Sequence, residues 1–339
     1  MKEKISEIES LLSDKQNIII TVHKSPDADA LGSALALYNV LKKLHHNVNV
    51  ISPNNYASFL YWMKGNEDVI IFTDEKDKCI DITNKSDLIF LLDFNDLERI
   101  GDYAKTVRES TSTKIMIDHH QDPNFLDADI IISDTKSSST AQLLFEVLTN
   151  LECSHLIDVN VSECIYAGIM TDTGSFKFAS TSSKTHKIVS KLIENGADNS
   201  KVHNLVYDNF SENRTNLLGY CLNKKMLIYP ESNSAIISLS EQELESFNFK
   251  NGDTEGIVNY ALAVKGVIFA VFIAEKEGLV KLSLRSKRDF KVNGIAKKYF
   301  KGGGHENASG GISELSLLDT IIKVEGIFNQ YKSKLTKLN

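Results

Sequence analysis

The first half of the chain alternates short apolar runs with longer stretches in which apolar residues recur at three and four. Apolar runs lie at Asn17–Val22, Asn47–Ser52, Leu88–Leu92, Ile115–Ile117 and Ile130–Ile132, and each stops at polar residues. They predict strands, several of them buried on both faces. Between them, Ala30–Leu44 carries Leu31, Ala34, Leu35, Tyr38 and Leu41 on one helical face. Further helices are predicted from about Asp96, over Ser138–Leu151, over Val161–Met170, and over Lys184–Asn195, where Gly196 supplies a stop. Strand following helix in this order predicts an α/β domain with a doubly wound, mainly parallel sheet.

The pattern changes after about Arg214. Strands are predicted at Lys225–Tyr229, Ser234–Ser238, Gly266–Glu275 and Leu279–Arg285, and helices near Thr254–Ala263 and Asn293–Phe300. That is a smaller α+β domain, expected across a cleft that opens and closes. The expected division is a first domain over 1–195, a linker over 196–225 with its break in the polar stretch Asp208–Thr215, and a second domain over 226–339.

Composition narrows the class. A chain of 339 residues suits two cores, and 42% hydrophobic with 24% charged residues is ordinary for a soluble globular protein. No apolar run approaches the roughly 18 residues of a membrane span, and Met1–Ser13 lacks the apolar centre of a secretory signal. The expectation is a cytoplasmic protein with no membrane partner; whether it forms a homodimer stays open. Cys79, Cys153, Cys164 and Cys221 show no CxxC spacing and read as reduced, mostly buried thiols. A net charge of -7 argues against a general nucleic-acid coat protein but leaves room for a local basic site.

Candidate chemistry appears where the strands end. His23 follows the first apolar run, Asp93 follows Leu88–Leu92, and Asp118-His119-His120 follows Ile115–Ile117. Strands of a parallel sheet end at one edge, where ligands bind, so the fold would bring these residues together. Ionisable groups crowded at a strand terminus are costly unless something binds them. Two imidazoles beside a carboxylate suit a divalent metal. Each residue also has a plainer explanation. A histidine pair in a loop can simply be solvated. Asp29 precedes the Ala30 helix, and N-capping accounts for it as well as ligation does. Asp27, two residues earlier, is less well explained as a cap. Asp93 could cap, but Asn95 and Asp96 lie closer to the next helix. Asp172 is the most telling: it follows a helix, where the macrodipole disfavours an anion by roughly 0.3–1 kcal/mol. A carboxylate there wants a cation.

Taken together, His23-x-x-Pro26-Asp27-x-Asp29-x-x-Gly32-Ser33, Asp93, Asp118-His119-His120 and Asp172 resemble the four motifs of the DHH phosphoesterases. The one departure is Ala28, where that family usually has glycine. The resemblance implies two metal ions, usually Mn²⁺, with Mg²⁺ or Co²⁺ as alternatives. It implies that His23, Asp27 and Asp93 hold one ion, and that Asp29, Asp93, His119 and Asp172 hold the other. It makes Asp118 an orienting group and has His120 face the substrate phosphate or leaving group.

A second motif, Lys301-Gly302-Gly303-Gly304-His305-Glu306-Asn307-Ala308-Ser309-Gly310-Gly311, carries five glycines in eleven residues. It reads either as a mobile surface loop or as a loop whose N–H groups cradle an anion around His305. The preceding stretch favours the cradle: Lys281 to Lys301 holds eight basic residues and one acid, a local +7. In Leu279–Arg285, Val280, Leu282 and Leu284 fall on one face and Lys281, Ser283 and Arg285 on the other. The motif resembles the signature of the type 1 DHH-associated domain, over roughly 226–313. That resemblance implies substrate contacts from Arg285, Gly302, Gly303, Gly304, His305, Asn307 and Ser309.

The two domains together resemble the nano-RNase/pAp-phosphatase group. The implied function is a two-metal phosphodiesterase that releases mononucleotides from short oligonucleotides such as pApA, with pAp 3′-phosphatase activity as an addition. Its partners would be short RNA or DNA oligonucleotides or a nucleotide bisphosphate. Alternatives are a cyclic di-AMP phosphodiesterase, a pyrophosphatase or exopolyphosphatase, and a nucleotide-binding sensor without turnover.

Overall fold

The structure, a computed structural model, describes residues 2–121, 127–276 and 278–338. It divides into two compact units, residues 1–209 and 210–339.

The first unit runs α1 (Lys2–Leu11), β1 (Asn17–Val22), α2 (Ala28–Lys43), β2 (Asn47–Ser52), β3 (Val69–Ile71), α3 (Lys76–Asn84), β4 (Leu88–Leu92), α4 (Tyr103–Glu109), β5 (Thr113–Asp118), β6 (Ile130–Ser133), α5 (Thr140–Asn150), α6 (Val159–Asp172), α7 (Ser183–Glu194) and α8 (Asn199–Tyr207). Its six strands are parallel in the order β3-β2-β1-β4-β5-β6. The apolar runs are continuous because both faces are covered. Every residue of β4 is buried, as is every residue of β1 after Asn17. Full burial of such a side chain contributes about 1.5–3 kcal/mol. One core, containing Ile18, Ile20, Phe90 and Ile117, packs against α2, α5 and α6. The opposite core, containing Ile19, Ile89, Leu91 and Met116, packs against α3 and α4.

Two features of this unit bear on the site. The strand order reverses between β1 and β4, which pair side by side with Val22 opposite Leu92. The crevice at such a reversal is where doubly wound sheets bind ligands. Helices α2 and α6 also approach closely at two glycines. A Cβ on Gly32 would stand 2.5 Å from the Cys164 carbonyl oxygen, and one on Gly168 would stand 2.7 Å from Asp29 Oδ1.

The second unit runs α9 (Glu212–Tyr220), a π-helical turn (Cys221–Lys225), β7 (Met226–Tyr229), β8 (Ser234–Leu239), α10 (Glu241–Ser246), α11 (Ile257–Ala263), β9 (Phe269–Lys276), β10 (Leu279–Ser286), α12 (Asn293–Tyr299), β11 (Gly303–His305), β12 (Ala308–Ser313) and α13 (Leu317–Lys337). Its sheet order is β11-β12-β10-β9-β8-β7, with β8 and β9 parallel and the other pairs antiparallel. Phe269, Val271 and Leu282 join the core under α12 and α13, while Ala270 and Phe272 face the core under α11. On β10, Val280, Leu282 and Leu284 are buried, while Lys281 is exposed and Ser283 and Arg285 are half-buried, as the alternation predicts.

Some elements differ from the expectations. The helix expected from Asp96 is a short 3₁₀ turn, Leu97–Ile100, followed by α4. The glycine-rich segment is not a loop but a hairpin, β11 and β12, with Gly303 opposite Gly310 and His305 opposite Ala308. All four cysteines are buried and free. Among the described residues, no helix is long and apolar enough to cross a membrane.

Candidate active site

The first unit gathers the strand-end residues at its reversal point. Asp93 is central. It leaves β4 with φ +65, a left-handed conformation that Asp tolerates better than most residues, and its N–H donates to the Ile117 carbonyl at 3.1 Å. The kink turns its carboxylate into the crevice. Oδ2 lies 3.4 Å from His23 Nε2, and Oδ1 lies 3.7 Å from both His119 Nε2 and His120 Nδ1.

His23 and His119 share one device. His23 Nδ1 is 3.0 Å from the Lys24 carbonyl, and His119 Nδ1 is 3.3 Å from the Ser137 carbonyl. Those carbonyls accept, so each Nδ1 carries the proton and each Nε2 points at carboxylates. This second-sphere arrangement orients metal-ligating histidines. His119 Nε2 faces Asp172 at 3.1 Å and Asp29 at 3.7 Å. Asp172 is the last residue of α6, where the helix dipole opposes its charge.

Of the two acids of the first motif, the one that caps the helix is not the one for which capping was the readier explanation. Asp27, not Asp29, is the N-cap of α2, and its Oδ1 accepts from the N–H groups of Asp29 and Ala30 at 3.0 and 3.1 Å. The helix therefore starts earlier, at Ala28, and Asp29 lies in its first turn. The Asp29 carboxylate instead reaches the start of α5, accepting from Thr140 N–H at 2.7 Å and Ala141 N–H at 2.9 Å. Asp118 is wholly buried and holds His120 from two sides, at Nδ1 (2.7 Å) and at the backbone N–H (2.9 Å).

Among the described residues, three donor sets lie wholly within the first unit: His23–Asp27–Asp93, Asp29–Asp93–His119 and Asp93–Asp118–His120, each with ligand atoms within 4.8 Å of one another. Asp93 belongs to all three. The charges are correspondingly perturbed. Burial would raise the Asp93 carboxyl, but the His23 hydrogen bond and the charges of His120, His23 and His119 hold it far below the usual carboxylate range. Burial, with the charges of Asp93 and Asp172, pushes Asp29 well above it. Burial opposes a charged His119, yet the Asp172 hydrogen bond and the surrounding carboxylates raise it well above an ordinary imidazole. The cluster gathers protons where a cation would sit. Its donors are oxygen and imidazole nitrogen without thiolate, a set that fits a hard divalent ion.

In the second unit, Arg285 is half-buried on the outward face of β10, and its guanidinium donates to the Leu284 carbonyl at 3.0 Å. His305 ends β11 and is half-buried. Two of the glycines around it are needed sterically. A Cβ on Gly302 would collide with the Gly310 carbonyl, and Gly304 has φ +129 with the Ala308 carbonyl 2.7 Å from a Cβ. Gly303 has open space there. Asn307 turns inward: Nδ2 lies 2.9 Å from Ser286 Oγ and 3.0 Å from the Arg288 carbonyl, closing the 286–290 loop. Buried Ser309 donates to the His305 carbonyl at 2.9 Å. The local positive charge is smaller than a window ending at Lys301 implies. Lys291 pairs with Glu306 and Lys301 with Glu314, both just beyond it.

Residues 17–169 match the DHH family, N-terminal domain, and residues 233–325 match the DHHA1 domain. The bifunctional oligoribonuclease and PAP phosphatase NrnA of Bacillus subtilis (strain 168) is 30% identical over 312 residues, covering 90% of this chain and 92% of that protein. The chain belongs to the DHH family. A crystal structure of an exopolyphosphatase-related protein from Bacteroides fragilis superposes with a TM-score of 0.94 at 37% identity, over 99% of this chain and 98% of that one. RecJ of Thermus thermophilus, crystallised with Mn²⁺, shares the fold at a TM-score of 0.53 and 14% identity, over 97% of this chain and 54% of that one.

The DHH family assignment makes the chain a phosphoesterase-type hydrolase. Its crevice also contains a segment that the motif reading passes over, Ser137–Thr140. The Ser137 carbonyl meets His119, and the Thr140 hydroxyl donates to Asp93 Oδ1 at 2.7 Å. Four consecutive hydroxyl residues before a helix read as capping, and Ser139 does cap α5. A run longer than one cap requires was the available signal.

Proposed function

We propose that this chain is a two-metal phosphodiesterase that hydrolyses short oligonucleotides, pApA and related di- to pentanucleotides, to mononucleotides, and that it also removes the 3′-phosphate of pAp. The observation that carries this reading is the sharing of Asp93 between the His23–Asp27 set and the Asp29–His119 set at the strand-order reversal. His23, Asp27 and Asp93 would hold one ion, and Asp29, Asp93, His119 and Asp172 the other. The donor chemistry favours Mn²⁺ or Mg²⁺, with Co²⁺ as a substitute. Held by those residues, two such ions would supply an activated water near neutral pH and would neutralise charge on the phosphoryl oxygens.

The protein's own groups do the rest. Asp118 accepts the Nδ1–H of His120 and fixes the ring, so that Nε2 would face the substrate and, in the doubly protonated ring, give its proton to the leaving oxygen. Buried Asp29 and Asp93 hold their oxygens in place through hydrogen bonds to α5. Arg285 and His305 would grip the substrate phosphate and base. Gly302, Gly303 and Gly304 would admit the nucleotide close to the backbone, while Asn307 and Ser309 hold the hairpin's shape. The likeness to an oligoribonuclease and PAP phosphatase supports this substrate class. Four free, buried thiols suit a reducing cytoplasm.

A second reading is hydrolysis of short polyphosphate at the same centre, favoured by the likeness to an exopolyphosphatase-related protein. The test is turnover by metal-stripped protein with Mn²⁺ restored, comparing pApA, long RNA, pAp, cyclic di-AMP, pyrophosphate and short polyphosphate. Fastest cleavage of pApA is the expected result. Turnover of polyphosphate or pyrophosphate alone favours the second reading. Tight nucleotide binding with no turnover makes the chain a sensor.

A further inference from the structure

The segment between β6 and α5 touches three of the residues proposed for one ion and none of those specific to the other. The Ser137 carbonyl takes His119 Nδ1 at 3.3 Å. The Thr140 hydroxyl donates to Asp93 Oδ1 at 2.7 Å. The N–H groups of Thr140 and Ala141 donate to the two oxygens of Asp29 at 2.7 and 2.9 Å. His23 and Asp27 have their own partners elsewhere: the Lys24 carbonyl for His23, and the α2 N–H groups for Asp27.

The segment is itself firmly held. Ser137 Oγ donates to the Ser139 carbonyl at 2.9 Å, and Ser139 Oγ accepts the Gln142 N–H at 3.0 Å. Ser138 Oγ and Thr185 Oγ1 both donate to Gln142 Oε1, at 2.7 and 2.8 Å. Thr185 belongs to the capping box that starts α7. Ser139, Thr140 and Ala141 have no measurable exposure. Each hydroxyl has a defined donor or acceptor, so the Thr140 side chain is fixed in one orientation.

We infer that Thr140 is a positioning residue for the shared carboxylate, and that Ser137–Ala141 selectively builds the Asp29–Asp93–His119 metal site. A carboxylate serving two ions would need its oxygens held in a fixed orientation. Thr140 holds Oδ1 toward Asp29 and His119, while His23 lies against Oδ2 at 3.4 Å. Without the hydroxyl, Oδ1 loses its one partner at 2.7 Å and the carboxylate is less firmly held about its Cβ–Cγ bond. Outer-sphere partners of this kind typically carry about 10–100-fold in metal affinity.

This inference rests on the two-metal reading above. The test is calorimetric titration of metal-stripped wild type, T140V and T140S with Mn²⁺, alongside melting of each in chelator. T140V keeps the shape of Thr140 and removes the hydroxyl; T140S keeps the hydroxyl. The expected result is two Mn²⁺ ions for wild type and T140S. For T140V, one ion binds as in wild type and the other binds about 10–100-fold more weakly. T140V taking both ions as wild type does overturns the inference. So does T140S losing as much as T140V, which would make the effect one of packing, and so does equal weakening of both ions. Wild type taking up no Mn²⁺ overturns the two-metal reading itself, and this inference with it.

Discussion

The Asp118 carboxylate grips His120 twice, with Oδ1 on the ring Nδ1 at 2.7 Å and Oδ2 on the backbone N–H at 2.9 Å. The ring cannot turn without breaking the first bond, and Asp118 is wholly buried behind it. A residue held this way suits proton transfer, so H120A should lower kcat by about 10²–10⁴-fold with Mn²⁺ affinity unchanged. D118N should act in the same direction by releasing the ring. Steady-state kinetics and a metal titration on both variants check this. Loss of Mn²⁺ affinity in H120A would instead make His120 a ligand, since Asp93, Asp118 and His120 also converge.

Asp93 combines a shared carboxylate with a backbone at φ +65. Asn tolerates that conformation at least as well as Asp, whereas most other side chains cost about 1–2 kcal/mol there. D93N should therefore fold normally, melt in chelator close to wild type and show no turnover. D93A should be inactive and also less stable. Activity in D93N at the wild-type level would remove Asp93 from the centre of the site.

Metal uptake should release protons. The carboxylates around His23 and His119 raise both imidazoles above their ordinary value of 6.5, against the effect of burial. Below the raised values an incoming cation must displace those protons, so apparent affinity climbs with pH and levels off once both rings are neutral. The linked stability has the opposite sign. A raised histidine stabilises the metal-free fold fully below its unfolded value, and that contribution disappears as pH rises through the folded one. Bound metal should therefore raise the melting temperature more at pH 8 than at pH 6. Calorimetry in buffers of different ionisation enthalpy counts the protons released, and a pH-independent affinity would contradict the account.

Much of this arrangement was legible because buried parallel strands are written as unbroken apolar runs. Ile18–Val22 and Leu88–Leu92 end sharply, and the next residues, His23 and Asp93, are the ones that enter the crevice. Which of Asp27 and Asp29 caps α2 was not legible. Either Asp suits a helix start, and the choice depends on Thr140 and Ala141, more than a hundred residues away. The glycine run misleads for a related reason. Gly302 and Gly304 are required by the close approach of Gly310 and Ala308 across a hairpin, a long-range fact, rather than by an exposed turn. Helix α13 is obscured because Leu318 and Ile322 are apolar yet exposed, which blurs its buried face of Val324, Ile327 and Phe328.

Two glycines should respond oppositely to alanine. A Cβ on Gly168 would stand 2.6 Å from Ala141 Cβ and 2.7 Å from Asp29 Oδ1. G168A should destabilise by about 1–3 kcal/mol through overpacking and weaken Mn²⁺ binding by displacing Asp29. Gly326 lies inside α13 with no atom within 4 Å of an added Cβ, so G326A should stabilise by about 0.5–1 kcal/mol with metal binding unchanged. Thermal melts and metal titrations of the pair read both effects.

The central claim is that one carboxylate, Asp93, serves two metal ions. Anomalous diffraction from crystals grown with Mn²⁺ tests it most directly. Two peaks about 3.5–4 Å apart are expected, each within ligand distance of the Asp93 carboxylate. A single peak, or two peaks of which one lies beyond ligand distance of Asp93, would contradict it.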